Sequence, residues 1–119
     1  MNWIVVGALG VALAIGLGAF GAHGLESRLS AADLALWETA ARYLMYAALG
    51  LVLMGVLGRA TPTPVDWAAT ALATGALVFS GTVAALALGG PRWLGAITPL
   101  GGVLMIAGWF LLAWASIRV

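Results

Sequence analysis

The segment from Trp3 to Ala22 contains no charged side chain, and about 20 such residues are what a helix needs to cross the ~30 Å hydrocarbon core of a bilayer. A soluble domain has to interrupt its apolar faces with groups that water can solvate, and this run does not. The remainder of the chain agrees with it. Of the 119 residues, 64% are hydrophobic and 8% charged, against roughly 45–50% and about 25% in soluble domains. Five basic and four acidic side chains cannot cover a soluble fold of this size, so lipid must solvate most of the surface.

Three further apolar segments follow, and together they predict an all-α, polytopic membrane protein. The expected architecture is a four-transmembrane-helix bundle forming a single domain over residues 1–119, with spans at about 3–22, 38–57, 67–88 and 96–116. The first run starts at Asn2 with no Lys or Arg before it, and it is as long as a full span. It therefore reads as a retained helix, with a signal cleaved near Gly18 to Ala22 as the alternative. Gly10, Ala14, Gly18 and Ala22 recur every four residues along it, which places small residues near one face and permits close helix approach. This face is expected to pack inside the bundle, a homo-oligomer seam being the alternative.

Between spans one and two lies a polar stretch, His23 to Trp37, with Glu26, Arg28 and Asp33. Ser30-Ala31-Ala32-Asp33 has the spacing of a capping box, so a helix should begin near Ala31. Leu34, Leu36 and Trp37 suggest that its first turns lie in the membrane interface. No breaker precedes Gly50, and this interfacial helical segment should continue directly into span two. Pro62 and Pro64 mark a loop over Arg59 to Asp66, since proline lacks the helix donor and pushes its predecessor out of the α region. Asp66 is then the expected N-cap of span three. Gly89-Gly90-Pro91-Arg92 makes the last turn; span four is expected to start near Leu94 or Thr98, with Pro99 tolerable in its first turn.

Four spans put both termini and the proline loop on one side, called here the terminal side. Trp3, Trp67 and Trp114 fall near it and Trp37 and Trp93 near the opposite side, as expected for aromatic belts; Trp109 lies deeper and should pack in the bundle. Arg59, Arg118 and the free amine on the terminal side nearly balance Arg28, Arg42 and Arg92 on the other. The positive-inside rule leans slightly towards a cytoplasmic opposite side.

The charged groups concentrate on that opposite side. Glu38 and Arg42 sit four apart in the order that favours a helical ion pair, with Tyr46 on nearly the same face. Charge near bilayer depth is costly when alone, which favours a structural salt bridge facing the bundle; an ion or proton relay is the alternative. His23 meets water at the end of span one, where it could hydrogen-bond Glu26 or Glu38 or handle a proton. Ser80, Thr82 and Thr98 are expected to bond to helix carbonyls or a neighbouring helix. Glu26, Arg92 and Thr98 complete the candidate polar cluster of His23, Glu26, Glu38, Arg42, Tyr46, Arg92 and Thr98.

Several chemistries find no support. There is no Cys for a thiolate or disulfide and a single His, so no cofactor or metal is expected. Neither a G-x-S-x-G elbow, a P-loop, a dinucleotide fingerprint nor H-E-x-x-H occurs. The net charge of +1 without a basic run gives no nucleic-acid footprint.

Gly18-Ala19-Phe20-Gly21-Ala22-His23-Gly24-Leu25 resembles the signature of a family of small bacterial membrane proteins, domain of unknown function 423, whose eukaryotic relative is transmembrane protein 256. Trp37-Glu38-Thr39-Ala40-Ala41-Arg42-Tyr43 resembles its second block. Phe79-Ser80-Gly81-Thr82 and the run Arg92 to Gly102 resemble the third and fourth. The resemblance covers nearly the whole chain and implies four membrane helices, a bacterial inner (plasma) membrane location and no assigned task. One departure is that the family pattern continues after Tyr43 with a Tyr and then a His, whereas here Tyr46 is followed by Ala47. A mechanism needing a second His in span two finds none.

The expected function is a non-enzymatic helical bundle acting as a scaffold or accessory factor, in contact with the lipid bilayer and with a second copy or a larger membrane complex. The alternative is a small oligomeric transporter or channel using Glu38, Arg42 and His23; an enzyme acting on lipid-soluble substrates is a third, less supported class.

Overall fold

The computed structural model describes residues 1–118. It contains four helices long and apolar enough to cross a membrane. Helix α1 spans Trp3–Phe20 and runs without a break into a π-helical turn, Gly21–Leu25. Helix α2 spans Ala31–Ala60, α3 Asp66–Ala87 and α4 Leu94–Ile117. The all-α, four-helix membrane architecture expected from the hydropathy pattern is the one observed.

The helix ends follow local chemistry, with three departures from expectation. Ser30 caps α2, its Oγ accepting from the Asp33 N–H at 3.1 Å, and α2 then continues unbroken through span two. Span one does not stop at Ala22; the π-turn carries it to Leu25, so His23 is helical rather than in a loop. Asp66 is the first residue of α3 and not its cap, a position taken by Val65 without a side-chain bond. The Asp66 carboxylate instead accepts from the Trp3 indole N–H at 2.8 Å. Pro99 lies inside α4 and not in its first turn, because the helix already starts at Leu94. It leaves the Gly95 carbonyl without its helical donor, a loss tolerable so near the helix start.

The helices pack mainly on their sequence neighbours: α1 on α2, α2 on α3, α3 on α4. No comparable contact closes the ring between α4 and α1, so α2 and α3 are central while α1 and α4 remain outer helices. The molecule is accordingly flat, with extents of 50 × 27 × 19 Å. Small residues set the seams. A Cβ on Gly7 would lie 2.7 Å from the Ala48 carbonyl, and one on Gly75 would lie 2.6 Å from the Met105 nitrogen. Backbones this close gain dispersion contacts, which replace the hydrophobic effect as the driving force in lipid. The core between them is alanine-rich, with Ala47, Ala69 and Ala76 around Met54 and Leu72, the largest fully buried side chains.

The small-residue row of α1 divides. Gly10 faces Ala48 and Ala14 is buried, but nothing lies within 4 Å of a Cβ built on Gly18, and Ala22 is exposed. The seam leaves that row because it follows Gly7, Gly10, Ala14 and Gly21, mixing steps of three and four as a helix of about 3.6 residues per turn requires.

A 30-residue helix such as α2 is about 45 Å long, against a hydrocarbon core of ~30 Å. If the terminal side sits at the level of Arg59, the core ends near Glu38, and Arg42 lies about 6 Å inside it. Trp67 and Trp93, 81% and 62% exposed, and the exposed Trp114 form the belts. Trp3 and Trp37 do not belong to them. Both are buried, and each indole N–H is spent on a partner inside the protein.

Candidate functional site: the polar end of the bundle

Where α1 meets α2, glycines and aromatic rings are matched. A Cβ on Gly21 would lie 2.5 Å from the Trp37 ring and one on Gly24 2.6 Å from the Phe20 ring. The Phe20 and Trp37 rings meet edge-on with centroids 6.1 Å apart. The Trp37 indole N–H donates to the Leu17 carbonyl at 2.8 Å. A π-turn widens the coil by one residue, which turns Leu25 inward to pack with Trp37 and Ala87 in a small second core. His23, between the two glycines, is left pointing outward and exposed.

The seven candidate polar residues are not gathered into one cluster. Glu38 and Arg42 line the same shallow depression of 370 Å³ together with Ala14 and Gly18 of α1. Tyr46, about 40° further round α2 from Arg42, lines a different groove of 270 Å³ with Tyr43, Phe79, Met105 and Trp109. Its ring lies 5.3 Å from that of Tyr43, and Tyr43 stands 5.1 Å from Phe79. Thr98 is committed to α3, its Oγ1 2.6 Å from that of Thr82, while both hydroxyls also reach carbonyls of their own helices. His23, Glu26 and Arg92 are exposed, and no hydrogen bond joins them to Glu38 or Arg42.

The expected salt bridge between Glu38 and Arg42 is not formed; no ion pair occurs among the described residues, and both side chains are exposed rather than turned into the bundle. The inward position on α2 is held by Trp37, Ala40, Ala41 and Leu44, whose faces pack against α1 and α3. Trp109 departs from expectation in a similar way. Its ring edge wedges against Gly50, but 41% of the residue stays exposed to the bilayer.

One buried side-chain polar atom has no partner. Ser80 is buried on α3, and its Oγ makes no hydrogen bond. Among the described residues no group of three metal-ligating side chains occurs, and nothing pairs a nucleophile with a base. Sequence reasoning misses the tryptophan anchors because a Trp at a span end reads as a belt residue. The signal available was the pairing of each Trp with a small or polar group at the far end of a neighbouring helix.

A flat, four-helix, multi-pass arrangement with apolar outer faces and tryptophan belts defines an integral membrane protein. Its sequence places it further. Residues 17–102 match the family model described as Protein of unknown function (DUF423), and the chain belongs to that family. It is similar to a UPF0382 membrane protein of Staphylococcus saprophyticus, 46% identical over 98% of this chain and 98% of the relative. A UPF0382 membrane protein of Staphylococcus haemolyticus is 49% identical over 98% and 95% respectively, and one of Staphylococcus epidermidis 47% over the same shares. No solved structure matches the chain.

Proposed function

We propose that this protein is a non-enzymatic scaffold or accessory subunit of a bacterial membrane, which uses its outer helices to hold other membrane segments. The observation that carries this is the open order of the helices: α1 and α4 each pack mainly on one neighbour and present most of the rest of their surface outward. Leu9, Leu13 and Ile15 of α1 and Val103, Ile106 and Phe110 of α4 are exposed along that surface. Lipid alone satisfies such faces, and so does another helix. Distribution of the polar groups also supports the proposal. Glu38 and Arg42 line one depression, Tyr46 another, His23, Glu26 and Arg92 are exposed and Thr98 is tied to Thr82, so they do not converge on a reacting position.

The test is affinity isolation of the full chain from native membranes into lipid nanodiscs, with quantification of what accompanies it. A membrane protein recovered in fixed stoichiometry is expected. A protein recovered alone and as a single copy would overturn the scaffold role.

The transport alternative draws on Glu38 and Arg42, which share a depression at the edge of the hydrocarbon. Proton or cation flux into vesicles holding the purified protein, lost on Glu38→Gln, would favour it over the scaffold.

A further inference from the structure

We infer that the depression holding Glu38 and Arg42 is a contact between two copies of this chain, related by a two-fold axis along the membrane normal, with Glu38 of each copy meeting Arg42 of the other. The inference rests on the scaffold reading and names its first partner. Its basis is charge complementarity at a defined depth. Glu38 and Arg42 both line one shallow depression and are unpaired within the chain. With the terminal side at the level of Arg59, Arg42 lies about one helical turn inside the hydrocarbon, where an unneutralised charge facing lipid is costly. The surface around it carries one charge of each sign, so each can meet the opposite charge of a second copy where the side chains bridge the difference in depth between positions 38 and 42.

The register suits a two-fold contact. Copies of a membrane protein share one orientation, so in such a dimer the two α2 helices run parallel and equal residues lie at equal depth. Glu38 and Arg42 are offset by four residues, about 6 Å along the axis. That is close to the reach of an extended arginine side chain and to the offset by which flanking charges pair across parallel coiled coils. Symmetry makes two pairs at once. The other wall permits the approach: Ala14 and Gly18 form it, and a Cβ on Gly18 would meet nothing within 4 Å. Gly18, like Ala22, is a member of the α1 small-residue row that the bundle leaves unused. Met45 supplies an apolar edge further into the membrane.

The charge pattern gives a test that an intrahelical ion pair cannot imitate. Two tagged forms of the full chain are co-expressed, and one tag is used to recover the other from nanodiscs. Wild type is expected to recover wild type. Glu38→Arg paired with Glu38→Arg, and Arg42→Glu with Arg42→Glu, should each lose about tenfold or more in recovery, because both contacts become repulsive. Glu38→Arg with Arg42→Glu should restore it, since one copy then carries two positive charges and the other two negative. An intrahelical pair would leave the mixed combination as impaired as its parents.

If either variant fails to accumulate, Gly18→Cys in the otherwise cysteine-free chain offers a second measurement. A short bis-maleimide is expected to yield a dimer-sized species. Wild-type copies that do not recover one another, a mixed pair that stays separate, or a Gly18→Cys chain that remains monomeric would each overturn the contact. Recovery of a different membrane protein in those cases would leave the scaffold role standing without this dimer; recovery of nothing would remove both. An anionic lipid retained by wild type and lost in Arg42→Glu, with no dimer in either, would assign the depression to lipid and also overturn it.

Discussion

The indole N–H of Trp37 donates to the backbone carbonyl of Leu17 at 2.8 Å, tying the start of α2 to the end of α1 immediately before the π-turn. At the other end of the molecule the Trp3 indole makes the same kind of bond to Asp66, also at 2.8 Å. Two buried tryptophans thus tie α1 to α2 at one end of the bundle and α1 to α3 at the other. Each places its polar atom where water is scarce and an unpaired donor would be costly.

Trp37→Phe keeps a ring against Gly21 but removes the donor. Stability should fall by about 0.5–1.5 kcal/mol, the range for a side-chain hydrogen bond between membrane helices. Trp37→Ala also opens a cavity and should cost about 3–5 kcal/mol. Reversible unfolding in mixed micelles distinguishes the two; equal losses would mean the hydrogen bond is worth nothing beside the ring.

Trp3 and Asp66 should be energetically coupled. Trp3→Phe and Asp66→Ala are each expected to destabilise, and the double variant to lose less than their sum by about 0.5–1.5 kcal/mol. A double-mutant cycle measures this directly, and strict additivity would contradict the bond.

Glycines on the α3/α4 seam should tolerate no side chain, whereas open ones should. Gly75→Ala places its Cβ against Met105 backbone, and Gly108→Ala against Ala68 and Leu72 backbone; each should cost about 1–3 kcal/mol through forced separation of the helices. Gly95→Ala, where a Cβ meets nothing within 4 Å, should be neutral or stabilising by up to about 1 kcal/mol. Thermal denaturation in one detergent ranks all three.

Ser80 and Thr82 are two residues apart on α3 and should respond in opposite directions. Ser80→Ala removes a buried hydroxyl with no partner and is expected to be neutral or to stabilise by about 0.5–1 kcal/mol. Thr82→Val breaks the link to Thr98 and should destabilise by about 0.5–1 kcal/mol. A loss of stability in Ser80→Ala would show that its hydroxyl has a partner after all.

Much of this fold is legible in the sequence, because each span signals itself locally. An uncharged run such as Trp3 to Ala22 has no soluble alternative, and Ser30, Pro62, Pro64 and Gly89 mark ends through chemistry confined to a few residues. Helix number, approximate span positions and the cap at Ser30 followed from that. The neighbours of a lipid-facing helix leave a weaker trace. Both sides of α1 are apolar, so hydropathy does not tell the face that meets α2 from the face that meets lipid, and the small-residue row drifts off the seam at Gly18. For the same reason Glu38 and Arg42 were assigned inward on the cost of exposed charge, whereas Trp37, Ala40 and Ala41 fill that face instead.

By itself, then, the sequence determined that four helices cross the membrane and that most charged groups gather at one end. Both follow from transfer free energies that act residue by residue. Tertiary structure alone decided that the helices pack in an open row, that Trp3 and Trp37 are anchors and not belt residues, and that Glu38 and Arg42 share an outward depression with Gly18. Those outcomes depend on which backbones can approach closely, a property of pairs of helices that no single span carries.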